Sequence, residues 1–522
     1  MGDIITVTKL GWRYAPPAKN TAPVTGLQDV SCYVPQGSFT GVIGPTGSGK
    51  SSLAKALMGL IPHCTAGTLD GYVRIAGMNV KSTSVSNLSL RVGYVGQDPN
   101  TQMTSATVHE EIAFPLENRG VPSDEIRARV DEVLDMLHIS ALRDRYTDTL
   151  STGEKERVAI AAAIAGAPQV LILDEPGACL DEEGREDLMH AIAEMRQRTG
   201  TTVLLIEQDT HMLVHTADTV FLMVDGEIIR RTTADIFVRE SAMLESVGVI
   251  VPGHRATDLT IVDDLPGAAD NAAVTIDHAH FAYPHTPPSE PPQLEDVAFA
   301  VQAGSFVGIT GANGSGKSTL LRLVNGTLRP TKGAVMVGGT NVASRSVTQM
   351  SRQVAFVTQD PLHMLFGGSV HDEIAYGPRH LGCDEATVDA RVDEMVRLFD
   401  LYDVEDVPAR TLSSGEQRAV ALACALAMRT PVLLLDEPVA GLDQRLKSRF
   451  LNAVAKLNQE GTTVLMVSQD ADTIERYCTH AARLDGGRLV SYGRVRGSGR
   501  HFPAPPTAAA NGIRQQVRGG KR

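Results

Sequence analysis

Two glycine-rich segments of the chain contain residues that could bind the phosphates of a nucleotide. They read GPTGSGKSS at positions 44–52 and GANGSGKST at positions 311–319. Both fit the pattern GxxxxGK[ST], in which backbone N–H groups of a tight loop converge on phosphate oxygens at the start of a helix. The lysine of this pattern reaches the β- and γ-phosphates, and the hydroxyl after it binds Mg²⁺, so Ser51 and Ser318 are candidate ligands of this ion. The candidate nucleotide-binding residues are Gly44, Pro45, Thr46, Gly47, Ser48, Gly49, Lys50, Ser51 and Ser52, and Gly311, Ala312, Asn313, Gly314, Ser315, Gly316, Lys317, Ser318 and Thr319.

Each glycine-rich segment is followed, much further along the chain, by an acidic pair at the end of an apolar run. The runs read LILDEP at 171–176 and LLLDEP at 433–438. An aspartate at the end of a buried strand can support Mg²⁺, directly or through water, and the next glutamate can polarise the attacking water. We expect Asp174 and Asp436 to take the first role, and Glu175 and Glu437 the second. Because both glutamates are present, the sequence predicts that both sites can hydrolyse a nucleotide.

The elements that must position these groups are short β-branched runs alternating with helical stretches, which is typical of a mixed α/β sheet domain. Phe39–Gly44 is predicted to be a strand that runs into the first glycine loop, and Ser51–Gly59 to be the helix after it. Val170–Glu175 and Thr202–Glu207 are apolar over most of their length and are predicted to be buried parallel strands. The predicted fold class is therefore α/β, with P-loop modules built on a mixed sheet.

The chain is predicted to be a tandem duplication, because its motifs recur in the same order at a nearly constant separation. The first module is assigned to residues 1–240 and the second to residues 273–495. Residues 241–272 between them are predicted to be a linker, since the part from Val251 to Ala273 is rich in Pro, Gly, Asp and Ala and lacks an apolar period. Residues 496–522 form a basic tail that we expect to be disordered.

Composition excludes several classes of protein. The chain has 522 residues, with 48 Lys and Arg against 61 Asp and Glu and a formal net charge of −13, which disfavours a general nucleic-acid binder. A spanning helix needs about 20 consecutive apolar residues, and the longest run, at 419–428, is half as long. The start, MGDIITVTKL, lacks a basic segment followed by an apolar one, so no secretory signal is expected. The cysteines form no CxxC pair, which disfavours a zinc or iron–sulfur site.

Taken together, these motifs resemble those of an ABC-type ATPase that is duplicated in one chain. The resemblance implies that Gln97 and Gln359 are the Q-loop residues, which sense Mg²⁺ and the γ-phosphate and link to the membrane partner. It also implies that Tyr14 and Tyr283 stack on adenine, because each precedes its P-loop by a similar distance.

The same resemblance implies that the two modules pair head to tail within the chain and form two composite sites. The P-loop and acids of the first module would meet the signature motif of the second, and the reverse would hold for the other site. ATP would then join the modules and hydrolysis would release them. The signature residues are Ser151 and Gly153 in the first module and Ser413 and Gly415 in the second, and the D-loop aspartates are Asp181 and Asp443.

The chain departs from the pattern of the family at two places. The signature, usually LSGGQ, reads LSTGE at 150–154 and LSSGE at 412–416. The switch histidine expected after a late strand is replaced by Gln208 in IEQD and by Gln469 in VSQD. Glutamine can donate an amide hydrogen bond to a γ-phosphate but never carries a positive charge. We expect both sites to be active, with weaker support of the transition state and less pH sensitivity near neutrality.

The segments after each Q-loop glutamine narrow the resemblance. They read QDPNTQMTSATVHEEIAFPLENRG at 97–120 and QDPLHMLFGGSVHDEIAYGPRHLG at 359–382, and together with GLIPH at 59–63 they resemble the ATPases of energy-coupling-factor importers. That class implies ATP-driven import of a vitamin or a transition-metal ion. The membrane partners would be a transmembrane coupling protein and a substrate-binding membrane protein. The chain would be a peripheral protein on the cytoplasmic face of the cell membrane, with no specific nucleic-acid partner.

Two other functions stay open at this point. The first is a tandem ATPase of a monosaccharide importer, although such proteins commonly carry a degenerate second site and Lys317 and Glu437 are intact here. The second is a soluble tandem ABC translation factor that acts on ribosomes, whose LSGGE-like signature is similar to the two signatures of this chain. Such factors typically join their modules through a long charged helix, whereas the linker predicted here is short and acidic.

Overall fold

The computed structural model describes residues 2–15, 23–177, 180, 182–208, 210–251, 259, 261–263, 271–284, 291–358, 364–412, 414–439, 442 and 444–496. These residues form two compact units that divide between Val251 and Leu259. Each unit contains one P-loop and one acidic pair. The predicted α/β fold with two tandem modules is confirmed.

The first unit contains the following described elements. Its strands are β1 (Asp3–Tyr14), β2 (Thr25–Pro35), β3 (Phe39–Ile43), β4 (Gly67–Ile75), β5 (Met78–Asn79), β6 (Val92–Val95), β7 (Val170–Asp174), β8 (Thr202–Glu207), β9 (Thr219–Val224) and β10 (Glu227–Thr232). Its helices are α1 (Lys50–Met58), α2 (Leu60–His63), α3 (Val85–Ser89), α4 (Val108–Glu117), α5 (Ser123–Met136), α6 (Thr152–Ala165), α7 (Glu182–Thr199), α8 (Ile236–Arg239) and α9 (Ser241–Ser246).

Two sheets organise this unit. The central sheet has the order β10-β9-β3-β8-β7-β6 and is parallel except for the β9–β10 pair. The smaller sheet, of order β2-β1-β4-β5, is antiparallel. The three predicted strands appear as β3, β7 and β8, and the predicted helix appears as α1, each within one residue of the expected bounds. The parallel pairing predicted for β7 and β8 is confirmed.

The second unit repeats this plan. Its strands are β11 (Ile261–Asp263), β12 (Ala272–Phe281), β13 (Leu294–Gln302), β14 (Phe306–Thr310), β15 (Lys332–Val337), β16 (Thr340–Asn341), β17 (Val354–Val357), β18 (Val432–Asp436), β19 (Thr463–Val467), β20 (His480–Asp485) and β21 (Arg488–Val495). Its helices are α10 (Lys317–Asn325), α11 (Val347–Met350), α12 (Val370–Leu381), α13 (Glu385–Phe399), α14 (Ser414–Met428), α15 (Gln444–Gln459) and α16 (Ala471–Tyr477). The central sheet has the order β11-β21-β20-β14-β19-β18-β17, and the smaller one β13-β12-β15-β16.

The strand that carries the acidic pair is buried on both faces in each unit. In β7, Leu171 and Leu173 pack with helices α4 to α7, whereas Val170 and Ile172 pack with α1 and the antiparallel sheet. β18 divides its apolar side chains between two cores in the same alternating way. This explains the unbroken apolar runs in the sequence, because a strand covered on both faces has no polar side.

Both ends of the predicted linker pack onto a unit. Residues after 240 form α9, and Leu244, Val247, Val249 and Val251 lie in the core of the first unit. At the other end β11 pairs antiparallel with β21 of the second unit. The segment between the two units is therefore shorter than residues 241–272. Of the predicted tail, only Arg496 is among the described residues.

In the part of the chain that the structure describes, no helix is both long and apolar enough to cross a bilayer.

Candidate nucleotide-hydrolysis site

The first P-loop connects β3 to α1 and needs glycine at positions where the backbone turns or passes close to a neighbour. Gly49, just before α1, has φ 94°, and a Cβ there would lie 2.4 Å from the Gly26 carbonyl oxygen. A Cβ on Gly44 would lie 2.2 Å from the Met223 carbonyl oxygen. Contacts below 3.0 Å with backbone atoms exclude any side chain, so these two glycines are required by the fold of the loop.

The P-loop lysines occupy equivalent places in the two units. Lys50 Nζ donates to the carbonyl oxygens of Gly44 at 2.8 Å and Pro45 at 2.9 Å. Lys317 Nζ donates to those of Gly311 and Ala312, both at 2.8 Å. Both side chains are buried. Each ammonium group therefore lies inside its loop, next to the helix N-terminus that favours a phosphate anion.

A serine and an aspartate form a close oxygen pair beside each P-loop. Ser51 Oγ donates to Asp174 Oδ1 at 3.1 Å, and Ser318 Oγ donates to Asp436 Oδ1 at the same distance. Burial, and after it the negative charge of Glu175, raises the pKa of Asp174 to about 7. Burial also raises the pKa of Asp436. Hydroxyl and carboxylate oxygens are the ligands that Mg²⁺ prefers, and a buried carboxylate with a raised pKa gains from a nearby cation. The donor set therefore fits Mg²⁺.

Two amides hold the glutamate of the first unit. Glu175 accepts from Gln97 Nε2 on Oε2 at 2.8 Å and from Gln208 Nε2 on Oε1 at 2.7 Å. Gln208 Oε1 in turn accepts a hydrogen bond from the hydroxyl of Thr46 in the P-loop, at 3.4 Å. The backbone of Glu175 has φ 56° and its N–H donates to the Ile206 carbonyl oxygen at 2.9 Å. The structure thus brings together the three side chains that the sequence proposed for sensing, polarising and switching.

The second unit shows a different arrangement at its switch position. Gln469 is exposed, and its Nε2 donates to Asn313 Oδ1 of the P-loop at 2.9 Å. Glu437 repeats the positive φ, at 48°, and its N–H donates to the Val467 carbonyl oxygen at 3.2 Å. The proposed Q-loop residue Gln359 lies outside the described residues.

The two tyrosines proposed for adenine stacking both touch the first turn of the P-loop helix. The hydroxyl of Tyr14 lies 2.8 Å from Ser52 Oγ, and the hydroxyl of Tyr283 lies 3.3 Å from Thr319 Oγ1. Behind each tyrosine stands an aromatic ring, Trp12 in the first unit and Phe281 in the second, in edge-to-face geometry. Both tyrosine rings therefore lie beside the loop that would bind the phosphates.

The signature serine of the first unit is the N-cap of α6. Ser151 Oγ accepts from the Glu154 N–H at 3.3 Å, and Glu154 Oε2 accepts from the Ser151 N–H at 2.7 Å, which forms a capping box. The unusual fifth residue of LSTGE thus stabilises the start of the helix. Gly153 lies in the first turn of α6, and Gly415 is buried in the first turn of α14. Ser413, Asp181 and Asp443 lie outside the described residues.

Sequence reasoning missed two buried acids. Glu111, in the HEEIA motif, accepts the backbone N–H groups of Thr104 and Ser105 at 2.8 and 2.6 Å. Glu373, in the matching HDEIA motif, accepts that of Gly367 at 2.5 Å. Both are buried, and they fasten the loop that precedes α4 and α12. The signal was available, because the same acid recurs in both modules directly before an Ile-Ala pair.

These sites define a class: P-loop ATPases with two nucleotide-binding units in one chain. The family described as ABC transporter matches residues 27–178 and 294–440, one segment in each unit. The chain therefore belongs to the ABC transporter family, and it is an ATP-binding ATPase of that family.

Two relatives whose matches span most of both chains support this assignment. A protein of Caldanaerobacter subterraneus subsp. tengcongensis, which carries the provisional name ABC transporter ATP-binding protein, is 31% identical over 94% of this chain and 91% of its own. A protein of Vibrio vulnificus with the same provisional name is 32% identical over 89% of this chain and 86% of its own. The solved structure of cbiO1 from Clostridium perfringens, described as part of the ABC transporter complex cbiONQ, is 30% identical. It covers 47% of this chain and 94% of its own, with a TM-score of 0.40.

Proposed function

We propose that the chain hydrolyses ATP to drive import of a small micronutrient, a vitamin or a transition-metal ion, through separate membrane subunits of an energy-coupling-factor-type transporter. The observation that carries this proposal is a pair of exposed aromatic rings at corresponding positions. Phe114 on α4 is 47% exposed and Tyr376 on α12 is 45% exposed. Both belong to the segments 97–120 and 359–382, which resemble that importer class. Large apolar side chains exposed at equivalent places indicate a surface that another protein covers.

In the second unit the exposed ring belongs to an aromatic patch formed by Phe366, Tyr376 and His380. Phe366, which is 58% exposed, meets Tyr376 edge-on with ring centroids 4.7 Å apart. Tyr376 lies over the ring of His380 at 4.0 Å. Such a patch suits an apolar helix of a transmembrane coupling protein, with the chain attached to the cytoplasmic face of the membrane. A substrate-binding membrane protein would complete the importer.

For the chemistry, we assign the polarisation of the attacking water to Glu175 and Glu437. The two amides on Glu175 support this role, because they orient the carboxylate without removing its charge. Mg²⁺, when bound, would neutralise charge on the phosphates. Gln208 and Gln469 would each present an amide towards the γ-phosphate. The residues that would hold the ion are Ser51, Gln97 and Asp174 in the first unit and Ser318, Gln359 and Asp436 in the second.

We also propose that the two units pair within the chain, so that Ser151 and Gly153 face the nucleotide of the second unit and Ser413 and Gly415 that of the first. The capping box supports this role for Ser151. Its hydroxyl accepts from the Glu154 N–H and keeps its own proton to donate to a phosphate oxygen. Asp181 and Asp443 would lie in the D-loops of the same pairing.

The test is affinity capture of the full chain from detergent-solubilised membranes of its own cells. We expect the wild-type chain to retain a polytopic coupling protein and a second membrane protein that binds a vitamin or a metal ion. A variant with Phe366→Ala and Tyr376→Ala should lose both. The matched control is Tyr402→Ala, which removes a ring that is 57% exposed in the same unit but lies outside the aromatic patch.

Two results would contradict the proposal. If the captured membrane proteins bind a monosaccharide, the chain serves another class of importer. If the chain sediments with ribosomes and retains no polytopic protein, it is not a transport ATPase subunit.

A further inference from the structure

The tyrosine contact at the P-loop helix occurs independently in both units. In the first, the Tyr14 hydroxyl and Ser52 Oγ lie 2.8 Å apart, and in the second, the Tyr283 hydroxyl and Thr319 Oγ1 lie 3.3 Å apart. Ser52 and Thr319 are the second residues after their P-loop lysines, and both are buried. In each unit, a phenol that could otherwise turn freely into solvent is therefore held by a hydroxyl in the first turn of the P-loop helix, α1 or α10.

A second contact fixes the other side of the ring. The rings of Trp12 and Tyr14 meet edge to face with centroids 5.5 Å apart and an interplanar angle of 85°, and those of Phe281 and Tyr283 do so at 5.0 Å and 88°. Trp12 is fully buried, so it cannot follow a movement of Tyr14 without disturbing the core. A ring held by its hydroxyl at one end and by an aromatic edge along its side has a defined plane.

Room for this arrangement in the first unit depends on Gly26. A Cβ on Gly26 would lie 2.7 Å from Tyr14 Cε2 and 3.2 Å from both Ser52 Oγ and Trp12 Cδ1. The three side chains thus converge on the space that a larger residue would fill. The corresponding contact in the second unit, between Tyr283 and Thr319, is longer, which indicates that the tyrosine is held less tightly there.

We infer that Ser52 and Thr319 are positioning residues for base recognition: their hydroxyls hold Tyr14 and Tyr283 and thereby set the plane on which the nucleobase stacks. The inference rests on ATP binding in the proposed function and on the role that the resemblance to ABC ATPases implies for the two tyrosines, which is to stack on the base. A serine hydroxyl can accept from the phenol and donate to a phosphate oxygen at the same time. The helix that binds the phosphates therefore also orients the ring that binds the base.

The chain carries its own probe for this arrangement, because Trp12 is its single tryptophan. Its emission reports the first unit alone, and a Trp12→Phe chain provides the blank. In the free full-length chain, we expect Tyr14→Phe and Ser52→Ala to change the Trp12 emission spectrum to a similar extent. The double variant should change it no further, since both remove the same hydrogen bond.

The binding experiment compares a non-hydrolysable ATP analogue with inorganic tripolyphosphate, which lacks the base, both titrated by Trp12 emission. Tyr14→Phe should weaken the analogue about threefold to tenfold, as expected for one hydrogen bond, and leave tripolyphosphate unchanged. Ser52→Ala should lower the ratio of the two affinities by a similar factor. Tyr33→Phe, which removes the hydroxyl of an exposed tyrosine on the same antiparallel sheet, is the matched control and should change neither.

A third variant distinguishes the positioning role of Ser52 from the stacking of Tyr14 on the base. Tyr14→Ala should weaken the analogue about tenfold or more through lost stacking. If it does so while Tyr14→Phe and Ser52→Ala keep the wild-type affinity ratio, the positioning role is wrong and stacking stands. If Tyr14→Ala itself leaves the ratio unchanged, Tyr14 does not stack on the base and both statements fail.

Discussion

Replacing the switch glutamine of the first unit tests the assignment of its site most directly. Gln208 is buried, and its Nε2 donates to the buried Glu175 carboxylate at 2.7 Å. A hydrogen bond to a charged group contributes about 1.5–3 kcal/mol. If that energy serves to orient Glu175 in the transition state, Gln208→Ala should slow hydrolysis at this site by about 10- to 150-fold. Gln97 still donates to the other carboxylate oxygen, so the glutamate stays partly oriented.

Histidine at the same position gives a second, sharper readout. Gln208→His can keep a hydrogen bond to Glu175 and can also take a positive charge, because the pKa of histidine lies near 6.5. We expect the variant to hydrolyse ATP faster than the wild-type chain and to become dependent on pH between about 6 and 8, where the amide is insensitive. The assay is steady-state phosphate release at several pH values, at saturating ATP and fixed Mg²⁺.

The matched control lies in the second unit. Gln469 is exposed and donates to Asn313, whereas Gln208 is buried and donates to Glu175. We therefore expect Gln469→Ala to lower the rate of hydrolysis at the second site by only about two- to fivefold. Measuring Gln208 variants with Glu437→Gln separates the contribution of the first site from that of the second. If neither Gln208→His nor Gln469→His changes the rate or the pH profile, the residue at the switch position does not support the transition state of hydrolysis.

Three further predictions concern Gly26, Glu111 and Asp470. Gly26→Ala should displace Tyr14, since its Cβ would lie 2.7 Å from the ring, and we expect weaker ATP binding with an altered tryptophan emission. Glu111→Ala should lower the free energy of unfolding by about 2–4 kcal/mol in urea titrations, because two backbone N–H groups lose a charged acceptor, and Glu111→Gln should cost less. Burial alone would raise the pKa of Asp470, but the charge of Lys447 and further hydrogen bonds lower it to about 2. The pKa of unfolded aspartate is about 3.9, so this group stabilises the fold fully above that pH and loses its effect as the pH falls through 2. In urea titrations, Asp470→Asn should therefore destabilise the chain at pH 6 and have a much smaller effect near pH 2.

The sequence predicts those parts of the fold that depend on local pattern. The run at 170–174 is apolar because both faces of β7 are covered, so its strand could be recognised without any knowledge of its neighbours. The P-loop glycines could be recognised for a similar reason, since the backbone dihedral angles and close contacts that they permit leave a signature in the residue types.

What could not be predicted depends on contacts between distant segments. Gln208 could be assigned to the switch position by its place after β8, but its hydrogen bond to Glu175 depends on how two loops meet. The sequence also does not show where the first unit ends. Helix α9 and residues 247–251 form a short apolar stretch, and the core residues that they contact lie far away in the sequence. For the same reason the sequence does not reveal the contact between Tyr14 and Ser52, although it predicts that both residues bind the nucleotide.

The covering of β7 on both faces has a consequence for motion during a catalytic cycle. Asp174 ends a strand that is fixed by two cores, and the N–H of Glu175 is tied to the Ile206 carbonyl oxygen of the next strand. Gln97 and Gln208, by contrast, sit on loops beyond β6 and β8. The sheet therefore holds the two acids, whereas loops place the two amides. If the site rearranges during a catalytic cycle, we expect the carboxylates to change partners through movement of these loops and not through a shift of the sheet.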